Sequence, residues 1–273
     1  MTGNPFWIRK TAVEIGPSGG TGRRWDSVRV NFSVVKTDNP QADTATIQLW
    51  NLSPDSRNFA KTGQVVRLFA GYESAPLGQI FSGEAKKVAN VKDGLDFVTS
   101  IEGADGGRII RVSRLSATYR GPIGLRSLFA RVAASMGLSN VVLPDSLPDI
   151  QYQGGYTAFG PSRKVLDDLV KTAKAKWMIQ DGDLVISMDK KATAHLGVIL
   201  SQDTGMIGTP ERLDGGRIKV VSLLNGLIKP RRPLKVASRW INGWFIPKLV
   251  THAGDSGWST EYYTTVEAIE ASI

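Results

Sequence analysis

A two-residue hydrophobic alternation in residues 28–72 constrains this chain more than any other feature. Val28, Val30, Phe32 and Val34 alternate with Arg29, Asn31 and Ser33, the period of a strand with one face in a core and the other in water. Turn-forming residues fill Thr37 to Gln41, and Ala45, Ile47 and Leu49 resume the alternation. Asn51-Leu52-Ser53-Pro54 then places Ser53 as a helix N-cap and Pro54 at the first helical position. Val65 to Ala70 reads as a third strand, closed by Gly71-Tyr72. Two strands, a helical turn and a further strand make a barrel or sandwich module, and no reactive group lies inside it.

The same pattern continues downstream. Ile80 to Gly83 leads into a strand near Glu84 to Val91, Asp93-Gly94 predicts a hairpin turn, and Leu95 to Ile101 alternates as the returning strand. About six strands are expected before residue 115. The period changes at Gly121-Pro122. Leu125, Leu128, Phe129, Val132, Ala133 and Met136 share one face of a helix that Gly137 would cap. Leu166, Leu169, Val170 and Ala173 mark a second helix starting near Pro161-Ser162. Trp177 to Gln180 and Asp183 to Ile186 flank Asp181-Gly182, a two-residue hairpin signal. Strands return at Lys219 to Leu224, Leu234 to Ser238, Trp244 to Val250 and Glu261 to Ala268, with turns expected at Asn242-Gly243 and His252 to Gly257. The expected fold is mainly β: a β module over 1–115, a helix-helix-hairpin α+β insert over 116–190, and a second β module over 191–273.

Composition narrows the function classes. With no cysteine, neither disulfides nor thiolate metal sites are available. The N-terminus lacks the apolar core of a signal peptide, and no run approaches the ~20 apolar residues of a membrane span. A soluble protein made inside a cell is expected, with no membrane insertion. The net charge of +9 invites a nucleic-acid reading. Divided over 1–115, 116–190 and 191–273 it comes to +4, +2 and +3, whereas a dedicated DNA-binding element concentrates its charge.

No catalytic constellation stands out. The glycine-rich run Gly16 to Arg24 lacks the Lys-Ser/Thr ending of a phosphate loop and reads as a flexible loop, with Arg23 and Arg24 facing a partner. His195 and His252 are the only histidines. His252 and Asp255 have metal-compatible spacing, but two ligands do not specify a metal, and His252 reads as a polar loop residue. Asp167-Asp168 reads as the solvated edge of a helix. With no Gly-x-Ser-x-Gly elbow and so few bases, no catalytic residue, cofactor site or metal site is expected. The seven tryptophans, with Trp240, Trp244 and Trp258 clustered near the C-terminus, read as core or interface anchors.

Taken in order, three stretches resemble the baseplate hub proteins of contractile-tailed bacteriophages and related phage-like particles. They are VNFSVVKTDNPQADTATIQLWNLSPDSR followed by GQVVRLFAGY and IFSGEA; the two helices with the WMIQDGDLVI hairpin; and TGMIGTPERL, KVVSLLNGLIKPRRPLKVAS and WFIPKLVTHAGDSGWSTEYYTTVEA. The likeness covers nearly the whole chain, although each motif alone is only a strand-turn pattern. Pro230-Arg231-Arg232-Pro233 departs from the Pro-Gly turn that the family would place there.

The resemblance implies two tail-tube-like barrels per chain and a homotrimeric ring, pseudo-sixfold on one face and threefold on the other. Such a ring would join a hexameric tail tube to a trimeric central spike, contact other baseplate proteins and let DNA pass through its lumen. It would be assembled in the host bacterial cytoplasm and reside in the virion. Arg23, Arg24, Arg231, Arg232, Trp244 and Trp258 are then the candidate partner or subunit contacts, and the Lys and Arg side chains are expected on outward or subunit-facing surfaces. The alternatives are a nucleic-acid-binding β-barrel protein, favoured by the charge and aromatics, and a peptidoglycan hydrolase.

Overall fold

The computed structural model describes residues 8–271 except 75, 139, 189–196 and 258. Its first part contains β1 (Arg9–Gly16), β2 (Arg23–Trp25), β3 (Val30–Thr37), β4 (Thr44–Trp50), α1 (Pro54–Phe59), β5 (Val65–Tyr72), β6 (Gly78–Asp93), β7 (Asp96–Ala104) and α2 (Gly107–Val112). The predicted alternation is realised residue by residue. Val30, Phe32 and Val34 of β3, Ala45, Ile47 and Leu49 of β4, and Val66, Leu68 and Ala70 of β5 all enter one core. Ser53 caps α1 by accepting from the Ser56 N–H at 3.2 Å, with Pro54 first in the helix. The sheet curls around this core, so that β1 and β3, which are not hydrogen-bonded to each other, both supply it with side chains.

The middle part contains β8 (Arg114–Tyr119), β9 (Ile123–Gly124), α3 (Leu125–Ser135), β10 (Val141–Val142), β11 (Gln151–Tyr152), β12 (Tyr156–Pro161), α4 (Ser162–Thr172), β13 (Ala175–Gln180) and β14 (Asp183–Met188). Both predicted helices bury their predicted faces, and Gly137 ends α3 with φ +70°. Their core also takes in Ile110 of α2, ahead of residue 116.

The last part contains β15 (Val198–Leu200), β16 (Met206–Leu213), β17 (Arg217–Leu223), β18 (Leu234–Ala237), β19 (Asn242–Asp255) and β20 (Tyr262–Glu270), with a third core. The two β parts are not separate sheets. Antiparallel pairing of β3 with β19 joins them into one thirteen-stranded sheet in the order β16-β17-β20-β19-β3-β4-β7-β6-β5-β1-β2, with β18 beside β19 and β15 beside β18. Among the described residues the molecule is thus mainly β with a small helical insert. No helix among them is long and apolar enough to cross a membrane.

Four turn expectations are corrected. The β6–β7 turn centres on Gly94-Leu95, because Asp93 pairs with Asp96 and Gly94 carries φ +60°, the glycine-first geometry of a type II′ hairpin. The β18–β19 turn is Ser238 to Ile241, not Asn242-Gly243: the Ser238 hydroxyl accepts from the Ile241 N–H at 2.9 Å and closes the loop locally. His252 to Asp255 continue β19 instead of turning. Gly254 is there for space, since a Cβ at this position would lie 2.6 Å from the Tyr262 ring and 2.8 Å from that of Phe32. Arg23 and Arg24 sit on strand β2, paired with Ile15 and Glu14 of β1, not in a flexible loop.

Candidate functional site at the seam between the β modules

The β3–β19 pairing is flanked by charge. Lys36 occupies the fourth inward position of β3, in phase with Val30, Phe32 and Val34, and is only 1% exposed. A lone buried ammonium would be untenable. The middle part answers it with the tip of the β13–β14 hairpin. Asp181 and Gly182 both have positive φ, at 54° and 91°, which makes a tight type I′ turn. The turn drives the Asp181 carboxylate to 2.6 Å from Lys36 Nζ and 2.5 Å from Lys229 Nζ. Asp181 also donates its backbone N–H to Asp105 Oδ2 at 2.6 Å. One side chain of the insert therefore binds a lysine from each β module.

A second node lies beside it. Asp38, just after β3, holds Arg231 at 2.7 Å and Lys248 of β19 at 2.8 Å. Arg231 is completely buried, has φ +65°, donates its backbone N–H to the Pro247 carbonyl, and donates from Nη1 to the Met188 carbonyl at 3.0 Å. The far end of the seam is pinned by Asp255, which receives Arg29 at 2.8 Å and the Gly257 N–H at 2.7 Å.

Burial and charge set the protonation states. Burial works against ionised Asp181, but attraction to Lys36 and Lys229 outweighs it and holds its pKa below the ordinary value. Burial, then the charge of Asp181, pushes Asp105 up to about 7. Burial likewise lifts Asp43 to about 7, against attraction from Lys36. Buried His252, its Nδ1 2.9 Å from Thr264 Oγ1, is pushed down to about 3 by burial and by Lys36, and stays neutral. Its strand phase is opposite to that of Asp255, so the two do not meet as metal ligands. Among the described residues no three His, Asp or Glu side chains converge on a metal-sized site. The arrangement is suited to fixing three chain segments against one another.

The candidate contact residues that are described do not form one patch. Arg23 pairs with Asp55 at 2.6 Å and lies over Phe59; Arg24 pairs with Glu14 at 2.8 Å and lies over Phe69. Arg231 is internal, so it is not available to a partner. Arg232 and Trp244 are half-buried, the latter under Lys235 at 5.8 Å. Trp258 and His195 lie outside the described residues. Asp167, expected to be only a solvated edge, accepts from Trp177 Nε1 at 2.7 Å. The seam itself escaped the sequence reading, although one signal was available: a lysine at an inward position of the clearest strand.

No family model matches the chain, and no curated protein matches it either. Solved structures do. A tail protein of prophage MuSo2 from Shewanella oneidensis superimposes with TM-score 0.63 at 10% identity, over 96% of this chain and 98% of its own. A tail protein of Neisseria meningitidis gives 0.64 at 12% identity, over 97% of each chain. A component of the type VI secretion system of E. coli, itself described as similar to the T4 bacteriophage tail proteins gp27 and gp5, gives 0.56 at 14% identity, over 94% of this chain and 77% of its own. At such identities the likeness is one of fold: the chain has, over nearly its whole length, the fold of these phage-tail and type VI secretion proteins.

Proposed function

We propose that this chain is a structural baseplate hub subunit of a phage tail or phage-derived device. Three copies form a ring that joins a sixfold tail tube to a threefold central spike, with DNA as transient cargo. The observation that carries this reading is the β3–β19 pairing. It holds two β modules, each with its own core, side by side in one sheet. Three such chains present six units, and heterologous contacts can close them into a ring. The tail-protein neighbours support a role in a tail, and the seam supports a rigid module pair over an enzyme.

Light scattering coupled to gel filtration tests the proposal, on the chain alone and with a trimeric spike protein. The expected species has three times the 29.6 kDa chain mass, and negative-stain images show a ring with a central hole. A protein that stays monomeric alone and with the spike overturns it.

A further inference from the structure

Counting charge by thirds of the chain hides its main concentration. From residue 106 to residue 144 the sequence has six arginines, at 108, 111, 114, 120, 126 and 131, and no lysine, aspartate or glutamate. This stretch supplies +6 of the chain's +9. It feeds the β8–β12 ribbon, a two-stranded sheet with no third strand. Leu115, Tyr119 and Tyr156 pack on the middle core together with buried Ala158. The opposite face points to solvent: Arg114, Ser116, Thr118 and Arg120 of β8 and its end beside Thr157 and Phe159 of β12. Phe159 is 78% exposed and sits opposite Ser116, between the two arginines. Arg111 is exposed at the end of α2, just before β8, and Arg131 stands 5.8 Å from the Tyr119 ring.

Some exposed arginines elsewhere have carboxylate partners, as in Arg163–Asp167 and Arg217–Glu267, while Arg212 and Arg239 have no ion pair among the described residues. What sets the present group apart is its concentration in a stretch without lysine, aspartate or glutamate. Among the described residues, Arg111, Arg114, Arg120, Arg126 and Arg131 form no ion pair. Arginine and exposed aromatic without lysine, aspartate or glutamate is the composition of a protein interface core. A groove that tracks a phosphate backbone draws on lysine as well as arginine. Arginine forks fit carboxylates in paired hydrogen bonds. A second copy is poorly matched, because the rest of this chain is itself net positive.

We infer that the outer face of the β8–β12 ribbon docks an acidic segment of a different protein. The segment's carboxylates meet Arg114 and Arg120, roughly 20 Å apart by strand geometry, and an apolar side chain covers Phe159. The inference goes beyond the hub reading and does not depend on it.

The test is fluorescence anisotropy on the full chain. The probes are a labelled glutamate–tryptophan peptide long enough to span the ribbon, a polyglutamate peptide and an oligodeoxythymidine of equal length. The double variant R114E/R120E is expected to weaken the glutamate–tryptophan peptide by about tenfold or more through loss of charge-assisted bonds. R212E/R239E, an equal change of charge on the second β module, leaves it unchanged. Phe159→Ala keeps the charge, weakens the same peptide and spares polyglutamate. Equal losses from both charge reversals, wild-type affinity in Phe159→Ala, or tighter Arg114-dependent binding of the oligonucleotide than of the peptide would each overturn the inference.

Discussion

Asp181 is the residue on which the three parts of the chain converge. Its carboxylate is shared by Lys36 and Lys229, and its N–H is held by Asp105. Removing one member of a buried ionic group leaves an uncompensated charge, which costs about 3–5 kcal/mol. Asp181→Ala is therefore expected to lower unfolding free energy by about that amount in urea titration. An effect no larger than that of an exposed ion pair would show the node to be solvated. Tyr262 plays a comparable uncharged part: it belongs to β20 but lies in the first core, with its hydroxyl 2.7 Å from the Lys10 carbonyl and 3.1 Å from the Gly71 carbonyl. Neither role was legible in the sequence. Asp181 carried a turn signal, and Tyr262 a strand phase, but Lys36 lies 145 positions from the first and Gly71 lies 191 from the second.

At the scale of elements, legibility followed how local the cause was. The β3, β4 and β5 alternation, the α1 cap and the buried faces of α3 and α4 depend on neighbours within a few residues, and the structure matches them. Glycine was where reading failed. Gly254 and Gly243 looked like turn formers, yet both lie in β19, Gly254 because two rings crowd its Cα. Length failed too: β6 runs sixteen residues and, with β7, extends beyond the core, leaving Val91 55%, Leu95 98% and Phe97 39% exposed. Strand ends with few buried contacts open more readily than core strands. Hydrogen exchange is expected to be fast for residues 89–97 and slowest for β3 and for β19 beyond Pro247. Equal protection in both places would contradict the placement of the core.

Across the whole molecule the buried carboxyls make stability depend on pH. Asp105 rises to about 7 from an ordinary 3.8. Between those values the folded protein keeps a proton that the unfolded chain has released, so this group's contribution falls as pH rises through the window and is constant outside it. His252, lowered to about 3 from 6.5, acts oppositely: its contribution is complete above 6.5 and is lost as pH falls. Asp105→Asn removes one titrating group, so its profile should lose the share of the descent between about 4 and 7 that Asp105 supplies, while Asp43, lifted to the same value, keeps its own. One retained proton gives that share a slope of roughly 1.4 kcal/mol per pH unit in the unaltered protein. Parallel stability–pH profiles for the two proteins would refute this.

The β3–β19 pairing also sets a timetable. His252 pairs with Val34, so at roughly 5–20 residues per second β3 leaves the ribosome some 10–40 s before its neighbour exists. Throughout that interval its edge is bare and open to any other unpaired strand. A chain truncated before β19 never covers it. Closure of the sheet thus waits on β19, because only a chain made as far as that strand can cover the edge that β3 leaves open.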